Sequence, residues 1–259
     1  MRRLCRHSRI VAVACVCAIA TAQADAVSEL DDAAARMQYA FHTDDVRGVE
    51  EALNIVGKLE LPASMNGMKE YFTAYGRWKL AELHTDEAAA GKRSARGAAI
   101  KEATACVRAA EGAEKSDPKL AEAFAIEAIC SAMASRAPEV LSPGGCSKHK
   151  GLRTAKELAP ANPRVLLIDA QCAAEFDKPG SAAPLERLRQ LAQAFETAPP
   201  SRPGLPDWGQ AEALLMLGEA CLARGDVAAA RDPIERALVI APDYRKAREA
   251  LEKSIAMPR

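Results

Sequence analysis

The sequence predicts an all-α protein built from helix pairs that double back on themselves and stack in series. Three observations carry this. Aromatic residues make up only 4% of the chain although 49% is hydrophobic; alanine and leucine supply most of that, which suits closely packed helices and not the alternating Val, Ile, Thr and aromatic runs of a sandwich. Between Ala211 and Tyr244, small and large residues recur at the spacing of two crossing helices. Proline, glycine and capping residues punctuate the chain at helix-length intervals.

The first element is a leader. Arg2, Arg3, Arg6 and Arg9 precede a small and apolar run from Ile10 to Ala22, and Ala22-Gln23-Ala24 supplies a small-x-small exit. This pattern predicts a signal peptide over 1–24, cleaved before Asp25, and a periplasmic or secreted product. The run of 13 residues is shorter than the roughly 20 needed to span a bilayer, and no later stretch approaches that length. Cys15 and Cys17 lack the leucine-like residue three positions before them and the polar segment after them that lipid attachment requires. Removing the leader leaves 31 basic against 35 acidic residues, a net charge of −4, with no basic field for nucleic acid.

Taken in order, Asp31–Phe41 and Asp45–Leu59 read as an opening helix pair around His42-Thr43-Asp44. A second pair starts near Lys69 and resumes from about Ser94 to Lys115, ending at Pro118. Ala121-Glu122-Ala123-Phe124 begins a third first helix, whose partner runs from Cys146 to Leu158 after a long loop holding Pro138 and Ser142-Pro143-Gly144-Gly145. Pro163–Phe176 and Ala183–Thr197 form a fourth pair, which closes repeats spanning 25–198. The Pro-rich stretch in 199–210, entered at Ala198-Pro199-Pro200, cannot be helical and reads as an inter-repeat loop or a hinge. A last repeat with a charged closing helix, Arg245–Ile255, fills 211–259, since a stacked array needs a polar cap. Tyr71, Phe72, Tyr75 and Trp78 have helical spacing and are expected in the core between repeats.

The 211–244 unit is the most specific. Taking Ala211 as the first position, Leu214 is fourth, Leu217-Gly218 seventh and eighth, Cys221 eleventh, Ala230 twentieth, Ile234 twenty-fourth, Ala237 twenty-seventh and Pro242 thirty-second. Gly218 and Ala230 are small where two helices cross, and Arg224-Gly225-Asp226 reverses the chain. This pattern resembles the tetratricopeptide repeat superfamily, strongly over 211–244 and partially over about 60–198; only Cys221, where an aromatic is usual, departs in kind. The resemblance implies an α-solenoid that binds a protein or peptide in a groove lined by first helices. The groove positions would be Thr73, Arg77, Glu122, Ile129, Arg164, Leu167, Gln171, Glu212, Leu215 and Glu219. Members that clamp a C-terminal carboxylate use Lys and Asn at the fifth positions; here these are Thr73, Ala125, Leu167 and Leu215, so that clamp is not expected.

Catalytic signals are sparse. Cys146 follows Gly144-Gly145 at a helix start, with His149 one turn on, a place where a thiol could be activated. No third orienting residue accompanies them, and export favours a disulfide; Cys130–Cys146 is the expected pair, stapling the long insertion. Five cysteines remain after the leader, so at least one stays unpaired. Cys146-x-x-His149 is half a zinc site with no second pair, and no phosphate-binding or dinucleotide-binding glycine motif occurs. The expectation is a non-catalytic exported scaffold with no cofactor and no metal. The alternatives are a small-ligand binder or thiol enzyme using the Cys146/His149 loop, or an accessory subunit of an envelope transport or secretion system.

Overall fold

The computed structural model describes residues 7–65, 67–135, 145–177 and 184–256, with side chains from Ala24 onward except Glu175 and Asp177. Among these residues there are eleven α-helices and no strand: α1 (His7–His42), α2 (Val46–Lys58), α3 (Met68–Ala89), α4 (Ala95–Ser116), α5 (Ala121–Ala134), α6 (Lys150–Leu158), α7 (Pro163–Gln171), α8 (Leu185–Thr197), α9 (Gln210–Leu222), α10 (Val227–Ile240) and α11 (Arg245–Ala256). Each helix packs chiefly on its neighbours in the chain, most extensively α3 on α4, α9 on α10 and α4 on α5.

Local sequence explains the boundaries. Asp45, Asn162 and Asp226 cap α2, α7 and α10 by accepting backbone N–H groups of Gly48, of Arg164 and Val165, and of Ala229. Pro163 occupies the first turn of α7, where its missing N–H costs nothing. The first helix departs from expectation: it does not begin near Asp31 but runs unbroken from His7, because no Gly or Pro interrupts residues 7–42. The expected cleavage point before Asp25 therefore falls inside α1. Among the described residues no helix is long and apolar enough to cross a membrane.

The main core gathers around α3. Tyr71, Phe72, Tyr75 and Trp78 are all essentially inaccessible to solvent, as their spacing predicts. At the other end, α9 and α10 cross at Gly218, where a Cβ would collide with Ile234 and lie 3.2 Å from the Ala230 carbonyl oxygen. Around that crossing Leu214, Ile234, Ala237, Tyr244 and Ala250 form a smaller cluster. Pro233 sits inside α10 and is buried there, removing one helical hydrogen bond that the sequence reading did not anticipate.

The cysteine pairing differs from expectation. Cys130 bonds to Cys106 of α4, with Cα atoms 6.0 Å apart, and Cys146 bonds to Cys172 just after α7, with Cα atoms 5.1 Å apart. Cys130 lies on the α5 face that packs against α4, whereas Cys146 lies in the turn before α6, between the Ala128 carbonyl of α5 and Cys172. The Cys130–Cys146 staple therefore does not form, and among the described side chains Cys221 is the free thiol, which is buried. The two bonds, both consistent with an oxidising environment, tie α4 to α5 and the α6 entrance to the π-type turn Cys172–Asp177.

Candidate functional site

The 198–209 segment is built into the structure. Trp208 is 3% exposed, donates its indole N–H to the Tyr71 hydroxyl at 2.8 Å, and packs against Tyr75 and Trp78 with ring centroids 5.0 and 5.4 Å away. Gly209 turns the chain into α9 at φ +102°; a Cβ there would meet Leu167 and Phe195 at 2.9 Å, so glycine is required on both counts. Upstream, the Gly204 N–H donates to Asp31 at 2.7 Å, and Gln38 of α1 donates to the Asp207 carbonyl. The proline-rich stretch is thus fastened to α1 and α3.

Charges complete the closure. Lys79 is 1% exposed; its ammonium donates to Glu82 at 2.9 Å and lies 3.7 Å and 4.2 Å from the ring centroids of Trp78 and Phe41. A charge this buried persists because a carboxylate and two aromatic faces compensate its lost hydration. Arg245 pairs with Asp44, and Lys246 with Asp86 at 2.6 Å. Beside them His42 Nε2 lies 3.5 Å from Glu212 Oε1, with the His42 and Tyr244 rings 4.2 Å apart. At that separation the His42–Glu212 contact is not an aligned hydrogen bond, and neither atom has a hydrogen-bond partner among the described residues. Burial opposes ionisation of Glu212, yet His42, with Lys79 behind it, holds its pKa down at about 2.

These elements leave a cleft of about 470 Å³. Tyr39, Pro199, Pro200, Ile240 and Pro242 form its apolar rim; His42, Glu212, Trp208 and Tyr244 line it more deeply, and Arg164 stands at one wall. Arg164 is engaged through its Nη2, which donates to Ser201 Oγ at 3.1 Å and Asp207 at 3.5 Å, while its buried Nε has no partner among the described residues.

The ten groove positions scatter. Glu212 and Arg164 line the cleft. Ile129, Leu167, Gln171 and Leu215 are buried in packing, and Glu122, also buried, accepts from Asn162 at 2.7 Å. Thr73 donates to Lys69 of its own helix, and Arg77 turns to Glu102 of α4 at 2.6 Å. Glu219 remains exposed. Helical spacing identified one face of each first helix, and packing covers that face at Ile129, Leu167, Gln171 and Leu215 while leaving Glu219 exposed. The residues that build the cleft instead, Tyr39, His42, Trp208 and Tyr244, come from the end of α1, the loop before α9 and the turn between α10 and α11; Pro199-Pro200 was their only visible signal.

The Cys146/His149 loop also has a different arrangement from the one expected. Cys146 is bonded to Cys172 and offers no thiolate. His149 Nδ1 accepts from the Gly151 N–H at 3.2 Å and caps α6, 3.3 Å from Glu127 Oε2. Among the described residues no three His, Cys, Asp or Glu side chains gather as a metal site.

No protein-family model matches this chain, and no curated protein matches it.

Proposed function

We propose that this chain is an exported, non-catalytic helical-repeat protein of tetratricopeptide type that binds a peptide segment of a protein partner. The cleft beside α1 is its binding place, rather than an open groove along successive first helices. The observation that carries this reading is the cleft itself: its volume of about 470 Å³ falls in the range of ligand sites, and it combines an apolar rim with a few buried polar groups. The Gly218–Ala230 crossing supports the repeat assignment, and the basic leader and paired cysteines support export.

Site-specific photocrosslinking tests it. A photoreactive residue replacing Tyr39, which is 60% exposed at the rim, is expected to give a discrete adduct when the protein is produced in its own cell envelope. The same residue replacing Val239, which is 80% exposed and does not line the cleft, should give none. Equal labelling from both positions, or none from position 39, would contradict the proposal.

A further inference from the structure

The chemistry of the cleft specifies which part of a peptide it takes, an inference that rests on reading the cleft as a peptide site. Glu212 is 4% exposed, and its Oε1 lacks a hydrogen-bond partner. A carboxylate oxygen withdrawn from water and left unpaired has a strong demand for a donor. The cations close to it are committed elsewhere: Lys79 donates to Glu82, Arg164 is held by Ser201 and Asp207, and Lys246 by Asp86. His42, buried with its Nε2 also unpartnered, stands too far off for an aligned bond. The other acids lining the cleft, Asp207 and Asp243, lie at its exposed mouth. Tyr39, Trp208 and Tyr244 supply aromatic surface along the way, suited to an alkyl stem and to a cation.

The geometry points to a lysine side chain of the partner peptide as the occupant, its stem between Tyr39 and Pro199-Pro200 and its ammonium donating to Glu212. A second depression, of about 670 Å³ between α1 and α2, offers no comparable anchor, since its polar residues such as Asp32, Glu51 and Lys58 are exposed.

The test is calorimetric titration of the full chain with acetyl-Gly-Pro-Lys-Pro-Gly-amide and with the same peptide carrying norleucine or glutamate in place of lysine. Lysine is expected to bind roughly tenfold or more tightly than norleucine, and glutamate to bind weakest. Glu212→Gln should erase the lysine preference while leaving norleucine binding unchanged. Should that variant fail to fold, Glu212→Asp, which keeps the charge but withdraws it by one methylene, should weaken lysine binding several-fold relative to norleucine. Equal binding of lysine and norleucine would overturn the lysine assignment and leave the peptide site standing. A preference for glutamate would overturn it and reverse the sign of the site. Binding by none of the three peptides would overturn the peptide reading along with it.

Discussion

At the seam where α1 meets α9 and α11, Glu212 lies against His42 with Lys79 behind it, and its pKa is held down at about 2. At the seam of α4, α5 and α6, Glu127 and Glu114 lie near each other and near Glu111, and both are pushed up to about 7, by burial first and by their acidic neighbours second. Lys150 and Lys115 offset this only in part, and burial lowers the pKa of His149, which faces Glu127. The two seams bury the same side chain with opposite results. What separates them is the sign of the nearest neighbours, not the depth of burial. The first seam is built to keep a charge; the second favours protonated carboxyls.

The largest expected effect comes from removing what closes the first seam. Trp208→Ala deletes the indole wedged between Tyr75 and Trp78 and should cost about 3–5 kcal/mol in chemical denaturation; a loss below about 1 kcal/mol would mean that the 198–209 segment is not part of the core. Glu212→Ala removes the buried carboxylate beside His42, while Lys79 keeps its own partner Glu82. It should cost roughly 3 kcal/mol, the lower end for a broken buried pair.

The second seam should respond to pH in the opposite sense. Carboxyls with a folded pKa near 7 hold protons that the unfolded chain releases above about 4.5. Their stabilising contribution is therefore full below that value and is lost as pH rises through 7. Glu127→Gln should raise the melting temperature by roughly 2–4 °C at pH 8 and leave it nearly unchanged at pH 5, readable by circular dichroism. Glu212 behaves inversely: its contribution is present above about 4.5 and fades as pH falls toward 2. The smallest effect is expected at the rim of the first seam, where Lys246→Ala breaks a partly exposed pair with Asp86. A change within about 1 kcal/mol, shrinking further in high salt, is expected in denaturant titration.

Much of the helical layout was legible in the sequence because it rests on local signals. Gly218 and Ala230 announce a close crossing by their size, Asp226 and Asn162 announce helix starts by their chemistry, and Pro163 by its missing donor. The cysteine pairing was not legible, because it depends on how α5 and α6 are rotated about their axes. Spacing places Cys130 and Cys146 close together in the chain but says nothing of the faces they occupy. The closure was hidden for a similar reason. Asp31, Gln38 and His42 meet Gly204, Asp207 and Glu212 across some 170 positions, and no periodicity links such distant segments. Periodicity also states which face a helix turns inward without stating what covers it; Leu167 and Leu215 were placed on the groove face, and packing covers both.

The contrast between the two seams, and with it the charge at the bottom of the cleft, is tested most directly by following side-chain carboxyl carbon resonances of the glutamates through a pH titration by NMR. Glu212 is predicted to remain ionised down to about pH 3 while Glu127 titrates near 7. A Glu212 resonance that moves in the ordinary carboxylate range or above, alongside a Glu127 that does not titrate near neutrality, would contradict the account.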